Sequence, residues 1–331
     1  MTTTSTTSLA PATPARVSIP PRAVAGPGAA ARAGVIAGLS AYLLWGFIPL
    51  FFKLVAHVPP IVVLSHRILW SALFVAAILT LTGQWPDVLA AVRRRATLLA
   101  LAASTAMIAV NWFVFLWAVT NNQVVQAGLG YFINPLVSVL LGMVFLRERL
   151  RPAQAAALLL AAAGVMVQVV ARGSFPWVAL SLAWSFGVYA LLRKTAPVGP
   201  LVGLFVETAL LIPFAAWFAI GFTFEGAGGS DPVTPGTYAL LAASGVITAV
   251  PLILFATAAR RLTMATLGFM QFLSPSCQLL LAVFAFREPF TKWHLLSFGL
   301  IWLALALYCL EAFRAYRRPT DPSKDVTCAE A

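Results

Sequence analysis

The chain has 331 residues, of which 61% are hydrophobic and only 10% charged, against about 25% charged in ordinary soluble domains. Its mean hydropathy is +0.91, and a soluble domain of this length cannot hide so much apolar surface, which excludes an ordinary cytosolic enzyme. There are 22 Lys and Arg against 10 Asp and Glu, a formal +12. The basic residues come in twos and threes between long apolar runs, the pattern of cytoplasmic membrane loops rather than of a nucleic-acid-binding stripe. Cys277, Cys309 and Cys328 offer neither a disulfide framework nor a Cys-x-x-Cys metal pair. The composition is that of an all-α integral membrane protein whose solvent is the lipid bilayer.

Residues 1–33 are rich in Thr, Ala and Pro, hold three arginines and no acid, and cannot bury a core, so a disordered cytoplasmic arm is expected. A transit peptide has a similar composition, but the arm is the plainer reading. Ten apolar segments follow, near 34–54, 60–82, 96–118, 125–146, 153–171, 175–192, 199–220, 237–258, 263–286 and 291–312. Each is close to the roughly 20 residues that cross a bilayer as a helix, and the runs are continuous rather than alternating, which excludes a barrel. With the N-terminus inside, cytoplasmic segments hold seventeen Lys and Arg and outer loops four, namely Lys53, Arg172, Arg287 and Lys292. This bias puts both termini in the cytoplasm, which makes the number of spans even. The last segment, 314–331, is a cytoplasmic tail.

The chain also repeats itself. INPLVSVLLGMVFLRE, ending at Arg147-Glu148, matches LSPSCQLLLAVFAFRE, ending at Arg287-Glu288, at an offset of 140. The same offset carries Lys53 onto Arg193 and Ser104 onto Ser244, with a slip of two residues around Gly130 and Gly268. Two five-helix repeats, 34–171 and 172–313, are expected, and because five is odd the second enters the membrane upside down. This is the inverted-repeat plan of secondary transporters, whose substrate site lies near the midplane between the halves.

AYLLWGFIPLFFKL, SHRILWS at 65–71, NWFVFLWAV at 111–119, LGYFINPL at 129–136, ETALLIP and TAVPLILFATAARRL together resemble RarD-type members of the EamA family of drug/metabolite transporters. The resemblance covers roughly residues 34–313. It implies a ten-helix inner-membrane permease built of paired EamA repeats that carries a small molecule.

Ionisable groups inside a span cost about 2.5–3.5 kcal/mol on insertion scales, so each is a functional candidate. Arg67, beside His66, lies in the second span and Glu207 in the seventh, 140 residues apart. Equivalent positions in the two halves suggest a pair near the central axis, either structural or part of substrate or proton binding. Trp45, Asn111, Tyr131, Asn134 and Gln271 suit a cavity for a neutral or weakly charged organic molecule, although amides also simply tie helices together. Pro49, Pro135, Pro213, Pro251 and Pro275 lie inside spans and can kink them. Gly34-x-x-x-Gly38 reads as a close-packing point, and the two Arg-Glu pairs as anchors or gates at helix ends.

No P-loop for ATP and no His-Glu-x-x-His occur, so no cofactor, metal or catalytic residue is expected. The expectation is a secondary transporter of a small organic metabolite or drug, working by alternating access. Its rivals are an intramembrane enzyme and a channel-like or regulatory membrane protein. No nucleic-acid partner is expected, and the residues assign no oligomeric state.

Overall fold

The computed structural model describes residues 27–121, 123–172, 175–224, 234–285, 287 and 292–317. All regular structure among them is helical: α1 (Pro27–Leu54), α2 (Pro60–Leu81), α3 (Trp85–Arg93), α4 (Arg95–Thr120), α5 (Val124–Phe145), α6 (Pro152–Arg172), α7 (Trp177–Thr195), α8 (Pro200–Phe224), α9 (Pro235–Ala259), α10 (Met264–Gln271), α11 (Leu273–Leu280), a π-helical turn (Leu281–Ala285) and α12 (Lys292–Arg317). Five helices begin on proline, whose fixed φ suits the first turn and whose missing N–H would be unpaired there anyway. The Thr234 and Thr263 hydroxyls cap α9 and α10 by accepting the amides of Thr237 and Thr266 at 3.2 and 3.1 Å.

Nine helical runs among the described residues are long and apolar enough to cross a membrane. The nine do not include α7, the expected sixth span, because Arg193 and Lys194 in its last turn lower its apolarity. Three further differences from the expected elements have physical causes. The first helix starts at Pro27, so the Ala-rich residues 27–33 extend it instead of belonging to the arm. The short amphipathic α3 fills the connection before α4, with Trp85 edge-on to Phe205 of α8 at 5.1 Å. The expected ninth span breaks after Gln271 into α10 and α11, where Pro275 cannot donate to the carbonyl four residues back. Most of the expected arm, the tail beyond Arg317, Glu288, and Glu225 and Asp231 of the longest loop lie outside the described residues.

The starts of α2 and α8, of α4 and α9, of α5 and α10, and of α6 and α12 are each 140 residues apart. Arg147 and Arg287 are the two non-glycine residues of positive φ among those described, both at 54°. Packing follows the same correspondence. Helix α1 lies on α9 while α7 lies on α4, and α2 packs on α8, α5 on α10 and α6 on α12. Gly34 and Gly38 let α1 close on the other half, since a Cβ at Gly34 would meet Arg261 at 2.8 Å and one at Gly38 the Met270 sulfur at 3.1 Å. The largest buried cluster gathers Tyr42, Leu101, Tyr189, Leu252 and Phe255; a second joins α6 to α12 through Ala157, Ala161, Ile301 and Ala304. Leu159, Phe214 and Trp217 point outward, as lipid-facing side chains do.

Candidate functional site

Two ends of the helix bundle can be told apart from side-chain contacts. At one, the α1–α2 connection meets the start of α9, with His57 Nε2 and Thr237 Oγ1 3.2 Å apart. There too the end of α4 meets the start of α7, where the Trp117 and Trp177 rings are 4.9 Å apart. At the other end, the α7–α8 and α9–α10 turns are latched by basic side chains on backbone carbonyls. Arg260 donates to Ala196 at 2.8 Å and to Val198, while Lys194 donates to Ala259 at 3.3 Å and to Leu262. Burial pushes the Arg260 guanidinium down from its usual pKa, and the nearby Arg193 charge adds to the shift. Beyond α5 at the same end, the Glu148 carboxylate accepts the Met264 and Ala265 amides at 2.7 and 3.0 Å, capping α10.

A cavity of about 300 Å³ opens at the first end, walled by the end of α1, the start of α2 and the last turns of α4. Phe52, Val63, Leu64, Trp112 and Phe115 are among its walls, and among the described residues Arg67 is its one ionisable lining residue. Arg67 Nε donates to Thr248 Oγ1 at 2.8 Å. Its guanidinium carbon lies 5.1 Å from the Phe52 ring centre and 5.8 Å from that of Trp112. The Tyr131 phenol lies within electrostatic reach of Arg67. Tyr131 itself is 41% exposed.

Glu207 does not meet Arg67. Its carboxylate is buried at the latched end, where Ser104 Oγ donates at 2.5 Å, Tyr189 donates at 3.3 Å and Arg193 Nε lies 3.6 Å away. Arg193 is itself 1% exposed and donates to the Pro200 carbonyl at 3.1 Å. Gly203 makes the room, because a Cβ there would run into the guanidinium. The separation from Arg67 has a simple cause. Helices α2 and α8 pack together but start at opposite ends of the bundle. Arg67 and Glu207 therefore each lie seven residues in from opposite ends, about 12 Å apart in depth for a 22-residue helix at 1.5 Å per residue. Arg193 is the residue that sequence reasoning missed. It stands beside Lys194 at the end of an apolar run and so reads as a loop charge.

The other candidates do not converge on the Arg67 cavity. Trp45 packs with Tyr42, Phe186 and Phe255 at centroid distances of 5.5, 5.8 and 5.6 Å, deeper in the bundle. Asn111 ties α4 to α7 by donating to the Leu182 carbonyl at 2.9 Å and to Ser185 Oγ at 3.0 Å. Gln271 donates to Ser138 at 3.1 Å, joining α10 to α5. Asn134 is buried, and its Oδ1 has no hydrogen-bond partner among the described residues.

The sequence profile of the EamA-like transporter family matches residues 32–170. An uncharacterized transporter of Pseudomonas aeruginosa is 46% identical over 88% of this chain and 98% of its own length. The protein RarD of Escherichia coli is 41% identical over 87% of this chain and 97% of its own. This chain belongs to the EamA-like transporter family, as a RarD-type member. A more distant family member, the chloramphenicol-sensitive protein RarD of Pseudomonas aeruginosa, is 31% identical over 86% of this chain and 96% of its own. One crystal structure, at 21% identity, superimposes with a TM-score of 0.66 over 86% of this chain and 99% of that one, a likeness of fold alone. As an EamA-family protein with nine apolar membrane-length helices among its described residues, the chain is a multi-pass membrane transporter.

Proposed function

We propose that this EamA-family transporter is a secondary permease of the inner membrane that moves a small organic metabolite or drug by alternating access. In this reading two inverted five-helix halves, 34–171 and 172–313, give ten spans with both termini in the cytoplasm. The observation that carries it is the contrast between the bundle's ends: a cavity at one, side-chain latches at the other. A carrier occluded from one side looks like this. The helix starts at 140-residue spacing, the exchanged contacts of α1 on α9 and α7 on α4, and a family match ending at residue 170 support the two halves. Helix α7 counts as a span because its Arg193 charge is folded inward onto Glu207.

Within this reading Arg67 and Tyr131 face the solute, and the aromatic group around Trp45 separates the cavity from the latched end. Asn111, Asn134 and Gln271 set the spacing of the helices that rock. Glu207 holds the second half together through Arg193, whatever part it takes in coupling.

Comparing metabolites of cells with and without the protein identifies a solute, and counterflow of that solute in proteoliposomes tests the mechanism. Saturable exchange is expected. Flux that rises without saturation would make the protein a channel, and conversion of the solute would make it an enzyme.

A further inference from the structure

We infer that the cavity beside Arg67 selects a small organic anion carrying an apolar ring, a reading that deepens the transport proposal by naming its substrate class. The first ground is charge. Among the described residues no carboxylate pairs with Arg67: Glu207 is held by Arg193, Glu311 by Arg151 at 3.4 Å, Glu148 by the α10 amides, and Asp87 lies in α3, beyond the far end of α2. The hydroxyl of Thr248 is neutral and takes only Nε. Position 67 thus keeps a cation where the equivalent position of the other half, 207, holds an anion with its own partner. A guanidinium about 10 Å in from the end of its helix is costly without an anion, and the cavity is the space from which one can arrive.

The second ground is shape. Phe52 and Trp112 flank the guanidinium at distances suited to cation–π contact. Rings in that position orient the planar fork, and a fork binds a carboxylate or sulfonate through two parallel hydrogen bonds. The remaining lining among the described residues is apolar, with Val63, Leu64 and Phe115 in it, and holds no second charge. One fixed cation in an apolar, aromatic pocket matches one anionic group on an apolar body. A cationic solute would be repelled by Arg67, and a neutral one would bury the guanidinium without compensation. At about 300 Å³ the cavity lies at the lower end of the roughly 300–1,000 Å³ of small-molecule sites, which favours a single ring.

The test uses the full chain in phosphatidylcholine nanodiscs and three probes of like size: benzenesulfonate, benzenesulfonamide and benzyltrimethylammonium. Calorimetric titration should show the sulfonate binding at least about tenfold tighter than the other two, the margin of a charge-assisted bidentate contact. Arg67→Gln should lower sulfonate affinity by at least about tenfold and should not weaken the sulfonamide. Arg67→Lys should keep part of the preference, because it keeps the charge but not the fork. Should Arg67→Gln fail to fold, Leu64→Trp leaves the charge in place and fills the cavity, and it should remove sulfonate binding. Equal binding of the three probes, or sulfonate binding indifferent to Arg67→Gln or to Leu64→Trp, overturns the inference. Loss of sulfonate binding when phosphatidylglycerol is added would assign the site to lipid and overturn it as well. The transport reading fails separately: Arg67-dependent sulfonate binding without saturable counterflow of any solute would sink the carrier and leave the anion site standing.

Discussion

At the scale of single residues, the Arg193–Glu207 pair is the most constrained feature of the molecule. Both partners are almost fully buried and sit 3.6 Å apart, with Ser104 and Tyr189 completing the carboxylate's shell. Removing one member of such a pair leaves an uncompensated charge, typically a loss of about 3–5 kcal/mol, whereas replacing both with apolar residues is often tolerated. Arg193→Leu should therefore lower the thermal unfolding midpoint in detergent sharply, and adding Glu207→Leu should recover most of the loss. A double variant as unstable as Arg193→Leu alone would mean that Glu207 is held by Ser104 and Tyr189 and not by the ion pair. The acid was legible in the sequence, since a lone Glu in the apolar run around ETALLIP demands an explanation. Its partner was not, because Arg193 abuts Lys194 and joins the tally of loop charges. The usable signal was proximity along the chain: Arg193 and Glu207 flank one short helical connection, and a buried acid finds its base most readily within the same hairpin. Arg67 was legible as a buried base, but the 140-residue correspondence suggested a pair that antiparallel packing of α2 and α8 keeps apart in depth.

At the scale of elements, hydropathy alone located most of the long helices, because a bilayer accepts little other than continuous apolar helix. It could not find α3, which is nine residues long and amphipathic. Nor did it foresee that Pro275 would interrupt its helix while Pro135, 140 residues earlier, sits inside an unbroken α5. Proline removes a hydrogen bond in both places, and the neighbouring packing decides whether the helix breaks. The corresponding helix ends make a sharper comparison. Arg147 follows α5 and Arg287 follows the π-helical turn, and both take a φ of 54°, a left-handed conformation that costs a non-glycine residue about 1–2 kcal/mol and a β-branched one more. Glycine fits there without that cost. Arg147→Val should be less stable than Arg147→Gly by at least about 1 kcal/mol, read from unfolding midpoints, and Arg287→Val against Arg287→Gly should show the same difference. A difference at one position and none at the other would count against equivalent roles for the two helix ends.

At the scale of the whole molecule, charge sets the orientation. The latched end carries Arg260, Arg261, Lys194 and the residues after α5, among them Arg147, Arg149 and Arg151, and α12 ends there with Arg314 and Arg317. Arg193 belongs to the same end but is spent on Glu207, so sixteen of the seventeen basic residues remain to bias the loops, against four at the cavity end. The discrimination comes from Lys and Arg close to the membrane, and such a margin is the ground for the proposed orientation. In the proposed orientation the latched end faces the cytoplasm and the Arg67 cavity faces outward. A reporter active only in the cytoplasm, fused after Arg318, should be active, and a periplasm-only reporter fused after His57 in the α1–α2 connection should be active as well. If the periplasmic reporter works both after His57 and after Arg318, the span count is odd and α7 does not cross. If it is silent after His57 while the cytoplasmic reporter works there, the whole bundle is inverted and the cavity opens to the cytoplasm. Because the α1–α2 connection meets α9 at His57 and Thr237, the second fusion reports on the side at which both halves present the cavity end.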